Sequence, residues 1–170
     1  MTTYCILGTG GVVETTFANS QLPTSQAGYT EIAVSGGQVG QIWNGSAFVA
    51  SVTAAQAAQI ATLQAAYQAA IEAPVTYITK AGVSKQYSAT PDAVANLEDC
   101  MLAFQLAGAT PTGFYFIATD GTQVPFAYAD LQGLSAAFGI PGAAAFAQLQ
   151  TLTAQVNAAT TVAAVQAIVW

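Results

Sequence analysis

Thr110-Pro-Thr-Gly-Phe-Tyr-Phe-Ile-Ala-Thr-Asp-Gly-Thr-Gln-Val-Pro-Phe-Ala-Tyr-Ala-Asp-Leu131 is the stretch on which the reading of this chain turns. Two apolar and aromatic runs, Phe114 to Ile117 and Gln123 to Phe126, flank Asp120-Gly121, a pair that tolerates the positive φ angles of a tight turn. A β-hairpin is expected there, with the helices on either side packing against it. Nothing in the stretch has the look of catalysis.

Downstream, Tyr128 to Phe138 is predicted as a helix with Leu131, Leu134 and Phe138 on one face, broken by Gly139-Ile-Pro-Gly142. A longer helix follows from about Pro141 to Ala158 with Phe146, Leu149, Leu152 and Val156 inward, and Thr160 or Thr161 caps a last short helix carrying Val165, Ile168 and Trp170. Upstream, Thr90-Pro91-Asp92 starts a helix: Thr90 as N-cap, Pro91 at the first helical position, Asp92 in the first turn. Val94, Leu97, Met101 and Phe104 form its apolar stripe, and Gly108 is a fitting stop. Val75 to Ile78 and Lys85 to Ser88 flank Ala81-Gly82, a second hairpin or a connecting ribbon.

From Thr53 to Glu72 there is neither Gly nor Pro, and Ile60, Leu63, Tyr67 and Ala70 fall on one helical stripe that Pro74 ends. That stripe faces either the chain's own core or neighbouring subunits, and it is the candidate oligomer interface. Before it, Tyr4 to Leu7, Val12 to Phe17 and the run around Ile32 read as strands. Gln41 to Trp43 and Ala47 to Val49 surround Asn44-Gly45, a strong hairpin signal. The expected fold is therefore α+β: a small β-rich N-terminal module over residues 1–50, a connecting helix over 51–73, and a helical C-terminal domain over 74–170 built around a β-hairpin.

Composition narrows the function classes. Only 6% of the 170 residues are charged, with two lysines, no arginine, no histidine and a net charge of -6. Nucleic acid is disfavoured, because phosphate contacts need clustered Lys and Arg, and so is an anionic membrane surface. The 37 alanines raise the hydropathy, but Gln and Thr interrupt every long apolar run, so no spanning helix is expected. Met1-Thr-Thr-Tyr-Cys lacks a basic region ahead of an apolar one, and Sec export is not expected. Cys5 and Cys100 are then read as two reduced, largely buried thiols. A surface this poor in charge favours association with other chains.

Candidate chemistry is sparse. Gly8-Thr-Gly10-Gly11 superficially resembles a dinucleotide loop, but Val13 stands where the third glycine belongs and no helix follows, so it is read as a turn. Without histidine a Ser-His-Asp triad is impossible and zinc lacks ligands. Lys80 and Lys85 are too isolated for a Ser-Lys variant. Glu98-Asp99 diverge by about 100° on a helix and form its solvated face. Asp120 belongs to its turn, and Asp130 sits in a first helical turn where it favours the dipole. Asn44-Gly45-Ser46 matches a glycosylation acceptor formally, and the turn explains it. Trp43, Phe48, Tyr115, Phe126 and Trp170 either line a sugar-binding surface or are core and interface residues, the commoner fate of aromatics. No catalytic, cofactor-binding or metal-binding residue is singled out, and no cofactor or enzymatic activity is expected.

The region from about Pro74 to Trp170 resembles a domain of unknown function that recurs in bacteriophage tail-fibre and tail-fibre-assembly proteins. The likeness is carried by Val75-Thr-Tyr-Ile-Thr with Lys85-Gln86-Tyr87, by Thr90-Pro-Asp-Ala-Val-Ala-Asn-Leu97, by Gly113-Phe-Tyr-Phe with Val124-Pro125-Phe126, by Ala129-Asp-Leu-Gln-Gly-Leu134, and by the closing Ala158 to Trp170. Ile42 to Val49 is also similar to a tryptophan hairpin common in phage tail accessory proteins. Members usually show Trp where this chain has Phe116, and Lys or Arg where it has Gln148 and Gln155. The resemblance implies a structural component of a phage tail, a tail-fibre or baseplate-attached subunit made in the host cytoplasm and carried in the virion. Its partners would be other tail or baseplate proteins and further copies of itself, a trimer among the options. The alternatives are a tail-fibre assembly chaperone and a receptor-binding tip that recognises a host surface glycan.

Overall fold

The computed structural model describes residues 3–7, 11–18, 30–33, 38–39, 41–44 and 46–170, with side chains for 11–13, 38–39, 41–44 and 46 onward. Most of the Gly8-to-Gly11 turn, the Leu22-to-Gly28 loop, Gly36-Gly37, Gly45 and the Cys5 side chain lie outside these. The architecture is α+β. Two compact units form, residues 1–62 with 152–169, and residues 63–151 with Trp170.

In the first unit, strands β1 (Thr3–Leu7), β2 (Val13–Ala18) and β3 (Thr30–Ala33) make an antiparallel sheet in the order β2-β1-β3, with an irregularity between Ile6 and Leu7. β4 (Gln41–Trp43) and β5 (Phe48–Ala50) form the expected hairpin. Its turn is held by the Asn44 carboxamide oxygen, which accepts from the Ser46 and Ala47 amides at 3.0 and 2.8 Å, the Asx chemistry that makes Asn a turn residue. Trp43 and Phe48 lie 4.9 Å apart between ring centres and close over fully buried Val13. Helix α1 (Val52–Ile71) follows. The Gln56 side chain donates to the carbonyls of Val156, Asn157 and Ala159, and Gln59 to that of Ile168. Carbonyls at a helix end have no partner within the helix, so these amides supply it.

The second unit rests on two hairpins of one construction. β6 (Val75–Ile78) pairs with β7 (Ser84–Tyr87), and β8 (Tyr115–Ile117) pairs with β9 (Gln123–Pro125). In the first, Thr79 N–H donates to Val83 O and Gly82 N–H to Thr79 O; in the second, Ala118 donates to Thr122 and Gly121 to Ala118. Both are three-residue loops that end on a glycine at φ 81°, a turn followed by a left-handed residue. The tight Asp120-Gly121 turn is thus one residue longer than expected. Only Gly121 takes a positive φ, and Asp120 keeps ordinary backbone geometry.

The inward faces of both hairpins meet helices α2 (Pro91–Phe104) and α3 (Tyr128–Ala158) in one core: Tyr87, Leu97, Ala118, Val124, Phe126, Leu131 and Leu134. Phe126 is its centre, 5.4 Å from the Tyr87 ring, 6.0 Å from Tyr77 and stacked on Phe116 at 5.4 Å. Thr90 takes the extended N-cap geometry ahead of Pro91, but its hydroxyl pairs with Ser88 rather than with a helix amide. Gly108 N–H returns to Phe104 O.

The predicted break at Gly139 to Gly142 does not occur, since α3 runs unbroken through Pro141. Proline removes a single helical hydrogen bond, and neither neighbouring glycine adopts a positive φ. The alanine-rich segment beyond favours continuation. Phe146 is 52% exposed instead of inward, and its neighbour Ala145 takes the buried position. The last helix, α4 (Val162–Gln166), starts at Thr161, whose hydroxyl accepts from Ala164 N–H at 3.1 Å.

Gly133 is where α3 lets a hairpin approach. A Cβ there would lie 2.8 Å from two Tyr77 ring carbons and closer still to its hydroxyl, whereas one at Gly139 would meet nothing within 4 Å. Gly133→Ala is expected to lower unfolding free energy by about 1–3 kcal/mol through overpacking, and Gly139→Ala to raise it by up to about 1 kcal/mol, both read by urea denaturation. Equal effects at the two sites would contradict the close approach.

Candidate functional site

Polar side chains gather where the two hairpins meet the start of α3. Asp130 is 3% exposed although it is a carboxylate. Its Oδ2 accepts from the Ala127 amide at 3.0 Å, and its Oδ1 from the Lys80 amide at 2.7 Å and the Tyr77 hydroxyl at 3.3 Å. Ala127 precedes the first helical residue and has no side chain able to cap; Asp130, three residues on, reaches back to do so, half of a capping box. The sequence places Asp130 near the helix dipole. It does not show that the β6–β7 hairpin supplies two further donors from 50 and 53 residues away.

Asp120 serves its turn through Thr122 N–H at 3.0 Å, and it also joins the hairpins. Lys85 Nζ on β7 donates to Asp120 Oδ2 at 2.6 Å and to the Thr122 hydroxyl at 3.2 Å, while Thr119 N–H donates to Gln86 O at 2.9 Å. The hydrogen bonds from Lys85, then those from Thr122, hold the Asp120 carboxyl well below the usual carboxylate range.

Burial, followed by the nearby Asp130 charge, pushes the Tyr77 and Tyr87 phenols up from 10.0. The Tyr87 hydroxyl is buried with no hydrogen-bond partner among the described residues. Cys100 is a free, half-buried thiol, pushed up by burial and by Asp99 beside it. At neutral pH Asp120 is thus a paired carboxylate, and Tyr77, Tyr87 and Cys100 keep their protons. Among the described residues no group of three or more Cys, Asp and Glu comes together to hold a metal ion, and no helix is long and apolar enough to cross a membrane.

Two clefts border this region. One of about 670 Å³ is walled by Lys80, Thr110, Tyr115, Gln123 and Phe126 with Asp130 behind. The other, about 460 Å³, lies between β8 and the Ala93, Asn96 and Cys100 face of α2. Tyr115 and Ile117, the outward alternates of β8, are 44% and 58% exposed. An outer strand face is usually polar, so this one is open to contact.

The aromatics singled out from sequence have separate places within their own units. Phe126 is core, Trp43 and Phe48 pair over Val13, and Tyr115 flanks the larger cleft. Trp170 lies edge-on to Tyr67 at 6.4 Å. Of the helical stripe, Leu63 is fully enclosed in a single copy, Tyr67 also meets Phe146 edge-on, and Ile60 and Ala70 are half-buried.

The tyrosine environments set the alkaline limit of stability. Between pH 10 and their raised native values the folded chain keeps protons that the unfolded chain releases, so stability is complete below pH 10 and falls as pH rises above it. Urea denaturation from pH 8 to pH 11 is expected to show that decline, flattened by Tyr77→Phe with Tyr87→Phe. A profile level across pH 10 would contradict these environments.

No curated protein and no solved structure matches the chain. A family model does match, over residues 54–169, and so covers nearly all of α1 together with both hairpins and α2 to α4. On that match the chain belongs to the family described as Domain of unknown function (DUF4376).

Proposed function

We propose that this chain is a non-enzymatic structural component of a bacteriophage tail, a tail-fibre or baseplate-attached subunit that acts by being held between other tail proteins and further copies of itself. The outward face of β8 carries the proposal: Tyr115 and Ile117 present apolar surface beside a cleft, on a chain with only 6% charged residues. Such a face is costly in water and favourable at a subunit contact. The ordered resemblance of Val75 to Trp170 to a domain of tail-fibre proteins supplies the setting. An ionised Asp120 paired with Lys85, and Tyr77, Tyr87 and Cys100 that keep their protons at neutral pH, agree with a role without catalysis.

Mass spectrometry of particles purified from cells that produce the protein tests this. The protein is expected in the finished particles, in fixed ratio to the tail proteins, and a Tyr115→Lys, Ile117→Lys variant is expected at tenfold or lower incorporation, about 1.4 kcal/mol of lost contact. Presence in infected cells with absence from finished particles would overturn the structural reading in favour of an assembly chaperone.

A further inference from the structure

A third cleft, of about 470 Å³, lies within the second unit between the end of α1, the first half of α2 and the middle of α3. Its walls are apolar, with Ile71, Val94 and Phe138 lining it. Gly139 and Gly142 contribute no side chain, and a Cβ at either would meet nothing within 4 Å. The only carboxylates on the lining are Glu72 and Glu98. Glu72 accepts from Gln68 at 3.2 Å, and neither glutamate is in a salt bridge among the described residues. Helices α1, α2 and α3 carry no lysine or arginine at all.

We infer that this cleft is a docking groove for a basic amphipathic helix of another protein. The apolar walls take the anchors at i, i+3 or i+4 of such a helix, the two glycines let it come close, and Glu72 and Glu98 meet Lys or Arg on its flanks. A second copy of this chain is a poor occupant on charge. It has no arginine and two lysines, and Lys85 is already engaged with Asp120. Nucleic acid and other polyanions are repelled by the same carboxylates. The inference goes beyond the tail-particle reading and holds or fails apart from it, since it concerns the groove and not the β8 face.

The test titrates the full chain with an amphipathic Leu/Lys peptide of about 18 residues, long enough to be helical once bound, and with its Leu/Glu counterpart, by fluorescence anisotropy. The Lys peptide is expected to bind, and the Glu peptide not. Gly139→Leu, which fills the groove, is expected to weaken binding at least about tenfold, and Glu72→Gln with Glu98→Gln at least about fivefold. Asp92→Asn with Asp99→Asn removes the same charge from α2 outside the lining and is expected to change affinity less than about twofold. Gly142→Leu serves in place of Gly139→Leu if the latter loses its folding transition. No binding of the Lys peptide overturns the inference. So does equal binding of both peptides, weakening by the Asp pair as large as by the Glu pair, or a stable homodimer that buries the groove.

Discussion

The second unit depends on one buried carboxylate. Asp130 is almost wholly removed from water, a position that is unfavourable for an ionisable group unless its oxygens are hydrogen-bonded. Three donors meet that condition, and they come from two places: Ala127 beside it in the chain, and Tyr77 and Lys80 from the β6–β7 hairpin. The same contact therefore starts α3 and fixes where the hairpin lies against it. The missing side chain at Gly133 belongs to this arrangement, because a Cβ there would collide with the Tyr77 ring whose hydroxyl reaches Asp130.

From that anchor the rest of the unit follows by packing. Once β6–β7 is placed, Tyr87 and Tyr77 present their rings to Phe126, and Phe116 stacks on the same ring from β8. Lys85 and the Gln86 carbonyl then hold the loop of the second hairpin. A chain with two lysines commits one of them to this junction. Its remaining exposed carboxylates on α2, with Glu72 at the close of α1, leave a helical side that carries negative charge only. The second unit thus has an apolar strand face at Tyr115 and Ile117 and a cleft whose lining carries Glu72 and Glu98.

Local chemistry made much of this readable in advance. Asp120-Gly121 and Asn44-Gly45 mark two hairpins, Ala81-Gly82 a hairpin or a connecting ribbon, and Pro91 with Asp92 the start of α2, because turns and helix starts are settled within a few residues. What escaped was set by partners distant in sequence. Gln56 and Gln59 look like unremarkable helix surface until the ends of α3 and the carbonyl of Ile168 arrive over them. The Lys85–Asp120 pair spans 35 residues. Asp130 was legible as a first-turn carboxylate but not as a buried one, since its tethering donors are a loop amide and a tyrosine that no local pattern connects to it. Gly139-Ile-Pro-Gly142 carries the local signal of a break, yet Pro141 removes a single helical hydrogen bond and the helix continues well past it on both sides.

That Asp130 organises the unit is most directly tested by amide hydrogen exchange at Lys80 and Ala127. Both residues are exposed, one in a hairpin loop and one ahead of a helix, so without a buried acceptor their amides would exchange at loop rates. Protection at both amides, close to that of core amides such as Leu131, and its loss at both in Asp130→Ala, is the expected result. Exchange at unprotected loop rates in the native chain, or protection that survives Asp130→Ala, would contradict the account.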